Sequence, residues 1–357
     1  MANLKNQHFV PRCLLKPFTQ DGEGKAINVY NIRHDKLIQN APVKGQCARD
    51  YLYGKDGKIE ELLSKIEGLF SETRRRVIED GSNDEDDKAQ LMFFTHLQSR
   101  RTAGAIARLK KQHELMNLGV FGQDGQAPAI PDEHELVMES LQFCLASTDK
   151  LQDLKVRIVE NKTAVDFVIS DDPAIFFNRF AAQKLGKASF GVGSSGVTFF
   201  MPISPKFGII CYDGLVYTMP DLTNDRVVLN DQNAIEALNE LQHLKAAENV
   251  YFKDWEDREY VRAQFLAQKD NRPDEWSTLT YWMHDGKDGD GNDTYREGTA
   301  EEARQPGARF LIKMSYTYPN PLHWFTPLKY RSKPKSFHDG SAIGHVRKKE
   351  WLRKQQA

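Results

Sequence analysis

The sequence predicts an α+β fold: a helical region packed on a mainly antiparallel sheet, followed by a mixed C-terminal extension. Three observations carry this. Glu60 to Ala146 places apolar residues at helical spacing, whereas Val156 to Tyr212 reads as short β-favouring runs between turns. Connections that short favour antiparallel pairing, because a parallel crossover needs about a dozen residues or more. At 357 residues, 40% of them hydrophobic, the chain can bury a real core. Its 49 basic and 50 acidic residues nearly cancel, so attraction to a polyanion has to come from local patches.

Cys13, Cys47, Cys144 and Cys211 are scattered without a Cys-x-x-Cys pair, and Met1 to Asn6 lacks the apolar core of a signal peptide. A cytoplasmic location is expected. No run approaches the ~18 apolar residues of a membrane span, so no membrane partner is expected.

Taken in order, Asn6 to Phe18 puts His8 before an apolar run broken by Pro11 and Pro17, which predicts an extended entry and a short helical turn. Such a histidine either packs or titrates near neutrality. Ala26 to Arg33 alternates and returns at Lys36 to Gln39 as a hairpin. Beyond the turn at Gly54 to Gly57, Ile59, Leu63, Ile66 and Phe70 form a helical core stripe, with Glu60 and Glu67 a heptad apart beside it. Asp86 or Asp87 is expected to cap the next helix, which is apolar almost all round and ends in Gln98, Arg101 and Thr102 on one face. An arginine there offers a rigid fork for carboxylate or phosphate, or a salt bridge at the core rim. Arg100, Arg108, Lys110 and Lys111 read as a solvated basic face.

Gly119 to Asp132 reads as a loop and Glu133 to Ala146 as a helix. Val156 to Val159 and Thr163 to Ile169 read as strands joined by Glu160-Asn161-Lys162, and the second runs into Ser170-Asp171-Asp172-Pro173. Pro173 cannot continue a central strand, and neighbouring strand residues face opposite ways, so one carboxylate should face the interior and the other solvent. The same residues serve equally as a plain Asp-Pro turn. Lys184 to Gly196 is a Gly/Ser-rich loop fit to cover a cleft, without a phosphate-loop or dinucleotide signature. Strands Val197 to Met201 and Phe207 to Tyr212 flank a Pro202-Ile203-Ser204-Pro205 turn, and Asp231 caps a helix carrying Asn239. The division expected is a core over 1–252, with helical middle 58–146, sheet 155–216 and helix 231–248, then an extension over 253–357. In that extension, 329–354 holds nine Lys or Arg against Asp339 and Glu350, a tail that either is solvated or tracks a nucleic-acid backbone.

The ordered set His8-Phe9-Val10-Pro11-Arg12, Glu60 and Glu67, Gln98-x-x-Arg101-Thr102, Ser170-Asp171-Asp172-Pro173, Pro202 to Pro205 and Asn239 resembles the DUF4238 family over about Gln7 to Phe252. The resemblance brings no reaction, but it implies an association of some bacterial members with defence against bacteriophage. Asp172 stands where the commoner motif has Asn, which makes Asp171 the stronger acid candidate. The expectation is a defence effector that hydrolyses phosphodiester bonds, RNA favoured. His8 would be acid or base, and Arg101 would steady charge on phosphorus. Asp171 with Glu60 or Glu67 would hold Mg or Mn or orient the histidine, while Gln98, Asp172 and Asn239 bind substrate. The alternative is a non-catalytic sensor of a phage component or nucleic acid.

Overall fold

The chain enters as β1 (Asn6–His8) and α1 (Arg12–Leu15), the short turn that the prolines dictate. The expected hairpin forms from β2 (Ala26–Asn31) and β3 (Lys36–Pro42), and β4 (Ala48–Asp50) returns along β1, setting Ala48 opposite His8. The computed structural model describes residues 5–82, 84–121, 127–186, 190–219, 225–338 and 344–352.

Four helices form the middle: α2 (Lys58–Glu79), α3 (Glu85–Gln98), α4 (Ala103–Phe121) and α5 (Glu133–Ser147). The α2 stripe turns inward as its spacing requires, with Phe70 stacked on Phe94 of α3 at 3.7 Å. The cap of α3 is Asp84, which accepts from the Asp86 amide. Asp87 instead faces α2 and takes the Arg76 guanidinium, because it lies a turn further in, on the buried side. Gly119, expected in a loop, is inside α4. Its missing side chain lets the helix close on the later sheet, where a Cβ would meet Leu279 Cδ1 at 2.8 Å. Residues 122–126 of that expected loop lie outside the described residues.

The sheet region contains β5 (Lys155–Asn161), β6 (Ile169–Ser170), β7 (Ile175–Phe177), β8 (Thr198–Ser204), β9 (Phe207–Tyr212), β10 (Tyr217–Thr218) and β11 (Arg226–Leu229). Helix α6 (Gln232–Lys245), capped by Asp231 as expected, leads to β12 (Asn249–Phe252). Five strands order as β11-β5-β9-β8-β7, antiparallel except for β11 beside β5, and a second sheet orders as β3-β2-β12-β6. The protein is therefore α+β.

Thr163 to Ile169 does not return along β5. Asn161 takes the Thr163 amide on Oδ1 and donates to the Val165 carbonyl, a local turn that diverts the chain, and only Ile169 and Ser170 pair, with β12. Pro202 lies within β8 at a register shift, so the turn falls at Pro205 and Lys206.

Beyond β12 come α7 (Arg258–Leu266), β13 (Ser277–Lys287), β14 (Asp293–Gly298), α8 (Ala300–Ala303), β15 (Phe310–Tyr316) and β16 (Lys329–Tyr330). The sheet β14-β13-β15 packs on α4, while Phe325 and Leu328 enter the main core and β16 pairs with β10. Part of the basic tail is thus built into the fold. Arg347, 1% exposed, donates to Asp153 at 2.9 Å and to the Val192 carbonyl at 2.6 Å, and Arg331 donates to the Gly214 carbonyl at 2.6 Å. Residues 339–343 and 353–354 of the tail lie outside the described residues. Among the described residues no helix is long and apolar enough to cross a membrane.

Candidate functional site: two arginines that face different clusters

Helix α3 ends at Gln98 and α4 starts at Ala103, and the break between them parts two neighbouring guanidinium groups. Arg101 goes to the N-terminal segment. Its Nη2 donates to the His8 carbonyl at 3.0 Å and to Glu67 at 2.6 Å, and its Nε donates to the Phe9 carbonyl at 3.3 Å. Gln98 donates to the same Phe9 carbonyl at 2.8 Å, and the Tyr53 ring lies 5.8 Å from the Arg101 guanidinium.

This cluster joins His8, Glu60, Glu67, Gln98 and Arg101 as the sequence suggested. Burial holds the His8 imidazole below its ordinary range, so it is neutral at pH 7, with the Arg12 and Arg101 charges acting the same way and a Val43 backbone hydrogen bond opposing them. Burial, then the neighbouring Glu67 charge, pushes Glu60 up. Three buried atoms here lack a hydrogen-bond partner among the described residues: His8 Nε2, Gln98 Oε1 and Arg101 Nη1.

Asp171 lies elsewhere. It is 5% exposed, and its carboxylate accepts the amides of Ala247, Glu248 and Asn249 at 2.7, 2.8 and 3.0 Å, which fixes the turn from α6 into β12. Burial raises it to about 6 against those three donors. No hydrogen bond or ion pair among the described residues ties it to His8, Glu60, Glu67 or Arg101. Asn239 is equally structural in its contacts, accepting from the Val168 amide and donating to the Asp166 carbonyl. Both carboxylates of the pair are buried, which replaces the expected in-and-out alternation, because the residues stand in the bend between β6 and β7.

Asp172 belongs to the second cluster. Its Oδ1 accepts from Thr102 at 2.9 Å, its Oδ2 accepts from Arg108 at 2.6 Å, and Lys245 Nζ stands 3.8 Å away. Gly104 permits this approach, since a Cβ there would sit 3.0 Å from Asp172 Oδ2. Arg108 and Lys245 of this cluster line a cavity of about 380 Å³, together with Arg100, Trp276 and Tyr318. The Trp276 ring carries Lys245 Nζ at 4.7 Å and Arg108 at 5.4 Å, and the Phe143 ring carries Arg100 at 4.5 Å. Arg100 has no ion pair among the described residues and its buried Nε has no partner. Burial, then the Arg108 charge, lowers Lys245 to about 7, with Asp172 pulling the other way.

The sequence reading placed Arg100 and Arg108 on a solvated face and passed over Lys245, Trp276 and Tyr318. One signal was present: Lys245 lies four residues after Leu241 and seven after Leu238, in phase with the apolar stripe of α6. The Phe190–Tyr318 pair, stacked at 3.9 Å, forms another part of the wall, so the Gly/Ser-rich loop does border a cavity, although its residues 187–189 lie outside the described residues. Among the described residues no group of three or more His, Cys, Asp or Glu is placed to hold a metal ion. Asp153 bonds Arg347, and Glu160 pairs with Lys162 and Arg226.

Fold and clusters together define an α+β protein with a buried arginine lock on one side of a helix break and a cationic, ring-lined pocket on the other. The chain belongs to DUF4238, a family described as protein of unknown function, whose model matches residues 6–256. No curated protein and no solved structure matches the chain.

Proposed function

We propose that this protein recognises a phosphate-bearing component of nucleic-acid metabolism in the Arg100, Arg108 and Lys245 pocket, and that it serves as a sensor or effector in defence against phage. The observation that carries the reading is Arg100, a part-buried guanidinium at the pocket that makes no ion pair among the described residues and whose buried Nε has no partner. A guanidinium partly withdrawn from water and short of acceptors is answered by an anionic ligand. Guanidinium groups also match phosphate oxygens in geometry. The test is calorimetric titration of the full chain with nucleotides and short RNA, for wild type and Arg100→Met. Binding in the first and loss of at least tenfold in the second supports the reading, and equal affinity contradicts it. Plaque counts on cells expressing the same two chains test the defence role.

A second reading is phosphodiester hydrolysis at the other cluster. It is favoured by the unpartnered atoms of His8, Gln98 and Arg101 beside Glu60, whose carboxyl is pushed up by burial and the Glu67 charge while burial pushes the His8 imidazole down. Incubating the folded protein with labelled RNA and DNA, with Mg, Mn or EDTA, tests this reading. Cleavage that His8→Ala and Glu60→Gln abolish supports it, and intact nucleic acid throughout rejects it.

A further inference from the structure

The pocket's charge and its two sources of lining residues narrow the ligand. With Lys245 protonated, Arg100, Arg108 and Lys245 bring three positive charges to the pocket against one buried carboxylate, Asp172, which leaves two unbalanced. The lining carboxylate Glu139 is 47% exposed and bonded to His113 at 2.8 Å, which turns it to solvent and a partner of its own. A bridging phosphodiester carries one negative charge, whereas a terminal phosphate monoester carries nearly two at neutral pH. Charge complementarity therefore selects the terminal group.

The cations all lie within the family match at residues 6–256, while Trp276, Tyr316 and Tyr318 lie beyond it. Tyr318 is held by its hydroxyl on the Phe190 carbonyl at 2.8 Å and by stacking on Phe190, and Phe176 meets both rings at 5.1 and 5.4 Å. An aromatic wall fixed this way is fit to receive a flat ring. A cavity of about 380 Å³ has room for a compact ligand and falls in the usual range for small-molecule sites, roughly 300 to 1,000 Å³.

Resting on the phosphate reading above, we propose that the ligand is a nucleoside terminal phosphate, its monoester on Arg100, Arg108 and Lys245 and its base against Tyr318 and Trp276 of the C-terminal extension. Two sources share that chemistry, a free mononucleotide and the phosphorylated end of a strand.

The experiment is calorimetric titration of the full chain with AMP, GMP, CMP and UMP, with ribose 5-phosphate and inorganic phosphate, with a dinucleotide bearing only an internal phosphodiester, and with an oligonucleotide with or without a 5′-phosphate. At least one mononucleotide is expected to bind ten times more tightly than ribose 5-phosphate and than the dinucleotide. Tyr318→Leu is expected to lower nucleotide affinity roughly tenfold and to leave inorganic phosphate unchanged. Trp276→Leu, checked for folding by its melting curve, gives an independent reading of the same kind. Equal binding of ribose 5-phosphate and mononucleotide overturns the base assignment while leaving phosphate recognition intact. Equal binding of the dinucleotide overturns the terminal-group assignment. No binding of any phosphate compound to the folded chain overturns the phosphate reading and this inference with it. Preference for the 5′-phosphorylated oligonucleotide over the mononucleotide identifies a strand end as the source, and the reverse identifies the free nucleotide.

Discussion

Arg101 and Arg100 are consecutive, yet the first has its charge answered by Glu67 and by the carbonyls of His8 and Phe9, while the second lies against the Phe143 ring with no ion pair among the described residues. The surroundings decide the role. A guanidinium whose donors end on backbone carbonyls fixes where a segment docks, here the β1 strand against α2 and α3. A guanidinium left short of an acceptor in a cavity is poised for a ligand. The two buried aspartates repeat the contrast, Asp171 holding three amides of one turn and Asp172 facing Thr102 and two cations of the pocket, Arg108 and Lys245.

The largest effect expected from breaking this contrast is on stability. Arg101→Met should lower the unfolding free energy by about 3 kcal/mol, the low end for breaking a buried pair because Glu67 is 25% exposed, and urea denaturation reads it. Arg100→Met, which breaks no ion pair, should stay within about 1 kcal/mol of wild type. Next, Asp171→Asn should cost about 1–3 kcal/mol, since an amide offers one acceptor oxygen where three backbone N–H groups converge, and anion affinity should not change.

A smaller effect is set by pH. Lys245 titrates at about 7 in the folded chain, facing Arg108, Arg100, Asp172 and the Trp276 ring. Its charged form is the one that holds an anion, so affinity should fall several-fold as pH rises from 6 to 8, read by titration calorimetry at each pH. Stability moves the other way. Between about 7 and 10.5 the unfolded lysine holds a proton that the folded one lacks, so this residue's contribution favours folding increasingly as pH rises across that window. Lys245→Met should flatten both dependences.

Local signals were readable in the sequence and long-range ones were not. The hairpin at Ala26, the α2 stripe and the Asp231 cap depend on neighbours within a turn or two, and each is present. Thr163 to Ile169 has strand composition, but the Asn161 side chain intercepts the backbone, a choice that residue type alone does not reveal. Gly119 looked like a loop residue because the partner that needs its bareness, Leu279, lies 160 positions on. The same distance hid the pocket. Arg108 resembles a solvated charge until Asp172 and Trp276 are brought to it, whereas His8, Glu60, Glu67, Gln98 and Arg101 were grouped through the ordered motifs that resemble the family, a grouping that also took in Asp171, which the structure places on the Ala247 to Asn249 amides.

The most direct test of the central claim is the melting temperature of wild type, Arg100→Met and Arg101→Met as inorganic phosphate is raised at constant ionic strength. A ligand that binds the folded chain raises its melting point with concentration. The account predicts that phosphate raises the melting point of wild type and of Arg101→Met, the latter from a lower start, and leaves Arg100→Met unmoved. An equal phosphate-dependent rise in Arg100→Met and wild type would contradict it.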